Sequence, residues 1–348
     1  MRTLASGLAG LAAIAALACS LQGVPADEIP EAPIAVVYRS PEESRRHAEM
    51  LAAQDEHPQQ TRADAPPALE EEGVARVKDL ASYMKSVMTG VASEPAARRF
   101  PGRLGLLQPR TLHIDGVASA WGEAVPHAWS ADRSHLLFTA LVDKFAQVFE
   151  LEVASGELHP ITHGPEVHPA ACYGPDGSYV VMTARIVNDE MQSQIELLEA
   201  GSAGPQPLTP GPRDYAPTCA ADASAVAYVS APRRGVEWVM AQVLGGSAEP
   251  RRLGPGREPR FCGAGAWIVY TAPIQRGTKI WRVRADGTGR SPIGHGVLDE
   301  TAPACSPDGG MVVYGVTEDH LERLYVRRFD GSGDRILYAD GDASHPIW

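Results

Sequence analysis

Six times along the chain a proline is followed by one or two intervening residues and then an aromatic residue or a cysteine. The prolines are Pro126, Pro169, Pro217, Pro259, Pro303 and Pro346, spaced 42 to 48 residues apart. The two best-preserved copies read Pro169-Ala-Ala-Cys-Tyr-Gly-Pro-Asp-Gly177 and Pro303-Ala-Cys-Ser-Pro-Asp-Gly309. A fixed period of about 40–45 residues is the signature of a propeller or a repeat array. Each of the first five phrases leads into an apolar strand (136–140, 179–184, 225–230, 267–272, 311–316) and then a second one (146–153, 194–198, 238–243, 279–284, 323–329). A Gly-containing turn and a short third strand follow, giving four strands per repeat with the phrase itself, which is one propeller blade. The expectation is an all-β fold, a six-bladed β-propeller of four-stranded blades over 106–348, preceded by a small, mainly helical region over 34–105.

Within the phrase, Ser-Pro-Asp-Gly is turn chemistry. Proline presets φ, aspartate bonds the local backbone and glycine tolerates φ > 0. These aspartates are therefore read as hairpin residues between the inner strand and its neighbour. The sixth phrase, His345-Pro346-Ile347-Trp348, has no strands after it, whereas strand-like stretches at 110–115 and 118–122 precede the first phrase without one of their own. The economical reading is that these N-terminal strands complete the blade begun by Trp348. Closure of that kind removes two open sheet edges.

The N-terminal third differs. Arg2 and the apolar stretch 4–17 form a targeting segment too short to span a membrane, ending in Ala16-Leu17-Ala18-Cys19 and then Ser20. It resembles a bacterial lipobox, with Leu two residues before the cysteine rather than three. The resemblance implies lipidation at Cys19, and the serine after it implies outer-membrane sorting; cleavage after Ala18 as an ordinary signal peptide is the alternative. Residues 20–33 read as a tether and 34–38 as a short strand. Ser40, Pro41 and Glu43 cap a helix running to about Ala53. A polar linker covers 54–67, and a second helix is expected over about 68–88.

Thirty-one basic residues against 43 acidic ones give a net charge of −12, with no basic cluster beyond short pairs. That balance argues against nucleic acid, which needs a basic footprint.

The phrase Pro-x-Trp-Ser-Pro-Asp-Gly followed by an apolar strand resembles the TolB-type, WD-repeat-like propeller repeat over roughly 106–348. The resemblance implies a six-bladed propeller in the bacterial envelope. The 34–88 region is shorter than TolB's separate N-terminal domain, so a paralogous propeller lipoprotein is the expectation. The repeat also occurs in prolyl-oligopeptidase-like enzymes, but the G-x-S-x-G nucleophile elbow and the further domain they need are absent from the sequence.

Three residues before the repeat proline stand Glu123, Glu166, Asp214 and Glu300, with Glu258 and Asp342 nearby in the other repeats. Equivalent propeller positions form a ring, so these six could place carboxylates around one channel mouth and favour a cation or a basic peptide; solvated loop residues are the plainer alternative. Cys172, Cys219, Cys262 and Cys305 lie in or next to the aromatic slot and read first as buried small hydrophobes. A bridge between neighbouring blades, Cys219–Cys262 or Cys262–Cys305, is the alternative in an oxidising compartment. His168 and His345 directly precede their prolines; with Glu166 they could make a metal site, although a loop histidine bonded to backbone is the commoner case. The functional expectation is a monomeric, non-catalytic envelope lipoprotein without cofactor, binding a protein or peptide through its channel mouth and blade loops. The alternative is a periplasmic hydrolase or lyase acting there, with a metal as an option.

Overall fold

The computed structural model describes residues 23–56, 102–117 and 124–348, apart from 143–144, 189, 200–201, 203, 234, 264 and 295–298. The signal segment with Cys19, the helix expected over 68–88 and the stretch 118–122 lie outside these residues. Six four-stranded antiparallel sheets make six blades. Blade 1 is Val125–Trp129, His135–Val142, Phe145–Glu152 and Leu158–Pro160; blade 2 is Ala171–Tyr173, Tyr179–Val187, Glu190–Leu198 and Gln206–Pro207. Blade 3 is Asp214–Cys219, Ala225–Arg233, Val236–Val243 and Arg251–Pro255; blade 4 is Arg257–Cys262, Trp267–Pro273, Thr278–Arg284 and Ser291–Pro292. Blade 5 is Glu300–Cys305, Met311–Glu318, Leu321–Arg328 and Asp334–Tyr338.

Blade 6 is the seam. Its inner strand Ala343–Ile347 pairs with Ile34–Tyr38, which pairs with Arg103–Gln108 and then His113–Gly116. The N-terminal strands do close the ring, but the propeller takes in Ile34–Tyr38 and does not begin at 106. The strand Ile34–Tyr38 carries an unbroken apolar run buried from Ile34 through Val37, as a strand covered on both faces should. The hairpin register from Ile34↔Leu107 to Tyr38↔Arg103 makes everything between Tyr38 and Arg103 an insertion at one hairpin end.

The helix Pro41–Glu56 opens that insertion. Its start is a capping box: the Ser40 N–H donates to Glu43 Oε2 at 3.0 Å and the Glu43 N–H donates to Ser40 Oγ at 3.3 Å. Buried Ser44 and His47 turn it onto blade 6, where the Asp342 N–H donates to Ser44 Oγ at 2.8 Å.

The core is divided among the blade interfaces. Six apolar clusters join neighbouring blades, for example Leu136 and Phe138 of blade 1 with Leu104 and Ile347 of blade 6, and one of them runs from blade 1 through blade 2 to blade 3. The inner strands touch in circular order, with blade 6 meeting blade 1. Two disulfides, Cys172–Cys219 and Cys262–Cys305, reinforce interfaces 2–3 and 4–5, with Cα separations of 5.6 and 5.2 Å. The reading of these cysteines as free buried thiols is therefore corrected, and so is the Cys219–Cys262 alternative; Cys262–Cys305 is present. Strand alternation explains the choice. Cys172 and Cys262 stand three residues after their proline and face the following blade, whereas Cys219 and Cys305 stand two after it and face the preceding one. No described helix is long and apolar enough to cross a membrane.

Candidate functional site

Every inner strand with a resolved ladder past its proline bends there. Register shifts interrupt pairing at Pro126/Ala128, Tyr215/Thr218, Arg257/Arg260 and Thr301/Ala304, and at the seam strand. In blades 3 to 6 the residue before the proline has φ near +50°: Ala216 (51°), Glu258 (55°), Ala302 (46°) and His345 (51°). Such bulges re-aim side chains, and non-glycine residues at positive φ persist only where the surroundings enforce them. Here they surround the central channel. Its mouth is walled by Pro169, Pro217, Pro303, Pro346 and Met182 and carries four polar side chains, His127, Glu258, Arg260 and His345.

The four differ in how they are satisfied. Glu258 Oε2 accepts from Thr271 Oγ1 at 2.7 Å and from the Ala302 N–H at 2.8 Å. His127 Nε2 lies 2.7 Å from Thr139 Oγ1. Burial, then the charge of Arg260 and that of His345, push its imidazole down to about 3, so it is neutral. His345 Nδ1 is 3.0 Å from Ser344 Oγ. Arg260 donates from Nη1 to the Pro259 carbonyl at 3.3 Å. Burial pulls its pKa down to about 10, with Glu258 pulling the other way. Beside the mouth, burial and then the charges of Asp342 and Glu258 push Glu322 up to about 8, leaving it largely protonated at neutral pH. The cavity measures about 60 Å³, room for about four waters.

The six acidic positions do not share one environment. Glu123 lies outside the described residues. Glu258 lines the channel. Asp214 is buried and accepts from the Gly211 N–H at 2.9 Å. Glu300 is 2% exposed, accepts from the Ile280 N–H at 3.1 Å and pairs with Arg327 at 3.1 Å and Lys279 at 3.6 Å. Asp342 pairs with Arg39 and accepts from the Glu322 N–H at 3.0 Å. Glu166 is more exposed and receives Arg185 Nε at 2.7 Å; that bond holds its carboxyl below the usual range. The expectation of one acidic rim thus fails for Asp214, Glu300 and Asp342, which tie inner strands to neighbouring backbone. Buried carboxylates need such partners.

Nor are Glu166, His168 and His345 gathered. His168 is 4% exposed, with Nδ1 3.3 Å from Thr183 Oγ1, in a pocket shared with Glu196 and Arg185, while His345 faces the channel. The described residues hold no group of three or more His, Cys, Asp or Glu side chains placed to bind a metal ion. The turn aspartates act as expected: Asp308 Oδ1 accepts from Ser306 Oγ at 2.5 Å and the Gly310 N–H at 3.0 Å, and Asp132 and Asp222 repeat the pattern. Sequence reasoning passed over His127 and Arg260. Both stand immediately after their proline, where the other repeats carry Ala170, Thr218, Ala304 and Ile347, so the departure from small or apolar residues was the available signal.

A closed ring of six four-stranded blades, stapled between inner strands and pierced by a proline-walled channel, defines the class as a six-bladed β-propeller. Residues 129–348 match the TolB beta propeller domain, and the chain belongs to that family. Over 73 residues it is 36% identical to the Tol-Pal system protein TolB of Geobacter sulfurreducens, a match covering 21% of this chain and 17% of that protein. The structure is similar to TolB from Acinetobacter baumannii, with a TM-score of 0.63 and 16% identity over 91% of this chain and 66% of that one. It is also similar to a putative TolB from Agrobacterium tumefaciens, with a TM-score of 0.56 and 21% identity over 66% of this chain and 86% of that one. At these identities the likeness is one of fold, and function has to be argued from the site.

Proposed function

We propose that the protein is a non-catalytic envelope lipoprotein, anchored through Cys19 at the periplasmic face of the outer membrane, whose propeller binds a protein or peptide at the channel mouth and adjoining blade loops. The observation that carries this reading is the mouth itself. Bulged inner strands hold His127, Arg260, Glu258 and His345 around a cavity of about 60 Å³, well below the about 300–1,000 Å³ of pockets that enclose a small-molecule ligand. Such a site suits one inserted side chain of a larger partner. Family membership supports the envelope assignment, since the Geobacter relative is named as a Tol-Pal system protein. The scattering of Glu166, His168 and His345 gives no support to a metal-dependent hydrolase or lyase.

The start of each inner strand and the second hairpin of each blade share one end of the propeller, as the pairings Glu300↔Val316 and Glu318↔Leu321 place them. A photocrosslinker at exposed Asp319 therefore reports the mouth face, and one at exposed Asp222 the opposite face. Docking at the mouth is expected to give an envelope-protein adduct from Asp319 and none from Asp222. Equal adducts from both positions, or turnover of a substrate that chelation abolishes, would overturn the reading. Separately, Cys19→Ser is expected to release the protein from the membrane fraction.

A further inference from the structure

We propose that the channel mouth is a carboxylate-binding site in which the Arg260 guanidinium, flanked by the imidazoles of His127 and His345, receives an acidic side chain or chain terminus of the docking partner. This rests on the docking reading above and specifies the chemistry of what docks.

Arg260 is the starting point. Several buried or half-buried arginines have carboxylate partners, Arg327 with Glu300 and Asp334, Arg185 with Glu166 and Glu196, Arg39 with Asp342, whereas Arg133 is held by the Pro33 carbonyl and the Trp129 ring instead. Arg260 donates to one backbone carbonyl, and among the described residues no carboxylate comes within ion-pair reach of it. Five donors on a planar fork are thus mostly unused in a half-buried setting. Holding a cation there is costly without a counter-charge, and its lowered pKa reflects that cost.

The surroundings favour an anion from outside. Glu258, the nearest carboxylate in the channel, has one oxygen occupied by Thr271 and the Ala302 amide. Protonated Glu322 adds little negative charge. Residues 251–294 carry nine Lys or Arg against two acidic residues in a chain of net charge −12, and of these cations Arg260 is the one that lines the channel. His127 belongs to the opposite blade and lines the same cavity, so the Arg260 guanidinium faces across the opening. A carboxylate matches the guanidinium fork in shape and charge, and the proline and Met182 walls around it are apolar.

The test uses the purified full-length protein with sodium acetate as probe, at constant ionic strength, reading the His127 and His345 imidazole resonances and the melting temperature. A saturable shift and a rising melting temperature are expected for the wild type. Both should be lost in Arg260→Gln and strengthened in Glu258→Gln. Should Arg260→Gln fail to fold, Arg260→Lys keeps the charge without the fork and is expected to bind acetate about tenfold more weakly, the worth of one charge-assisted hydrogen bond. No saturable shift, or the same shift in wild type and Arg260 variants, overturns the site. The source of the carboxylate is read from the Asp319 crosslink. An adduct lost in Arg260→Gln assigns it to the partner. An adduct at wild-type yield in that variant overturns the assignment while leaving the docking reading intact, and a missing wild-type adduct defeats docking itself.

Discussion

Arg327 and Arg260 belong to neighbouring blades, and both turn their guanidinium groups inward. Arg327 is 3% exposed and sits in a closed set of charges, with Nε 2.6 Å from Asp334 and Nη2 3.1 Å from Glu300. Burial works against its charge, but the hydrogen bond to Asp334, then Tyr314, Glu300 and Asp334 by their charges, carry its pKa upward. Arg260 has burial without that set, and its pKa falls. The difference teaches that two arginines turned inward from neighbouring blades can meet opposite fates, one completed by carboxylates of the fold and one left open at the channel mouth. Glu300 and Asp342 are completed by the fold, as is one oxygen of Glu258, which takes Thr271 and the Ala302 amide; Arg260 is the group left open at the mouth.

The comparison can be broken in several ways. The largest effect is expected from Arg327→Met, which strands Glu300 and Asp334; urea unfolding should show a loss of about 3–5 kcal/mol. A joint Cys262→Ser and Cys305→Ser change removes a staple closing 43 residues and should cost about 2–4 kcal/mol under oxidising conditions, with no effect on acetate binding. That separation sharpens the contrast, because the staple belongs to the scaffold. Glu322 offers a pH handle. Its folded pKa is raised from 4.5 to about 8, so the stability it contributes is fully present below about pH 4.5 and is lost as pH rises through about 8. Melting temperature should fall over that window in the wild type, and Glu322→Gln should flatten the fall. The smallest effect is expected at the seam, where Trp129 Nε1 donates to the Ile347 carbonyl at 3.1 Å. Trp129→Phe should lose about 1 kcal/mol and leave the mouth unchanged.

The architecture was legible because its signals are local and repeated. Turn residues such as Asp308 and the strand after each phrase recur at one period, and closure followed from counting the ends. What escaped was what depends on facing and on long insertions. Ile34–Tyr38 is separated from its hairpin partner Arg103–Gln108 by an insertion carrying a helix, so proximity in sequence pointed to the wrong strand. The cysteines shared a slot, but side-chain parity within the strand decided which pairs met. The acidic positions shared a spacing, yet Asp214 and Glu300 turn into the fold while Glu258 turns into the channel, a difference made by bulges and neighbouring blades. His127 and Arg260 were visible only as departures at one position of the phrase.

Urea unfolding of Arg260→Met and Arg327→Met, side by side with the wild type, tests most directly whether the mouth cation is held for a partner rather than for the fold. The expected result is a stability equal to or above wild type for Arg260→Met and a loss of about 3–5 kcal/mol for Arg327→Met. A comparable loss in both variants would contradict the account, because Arg260 would then be a structural residue like Arg327.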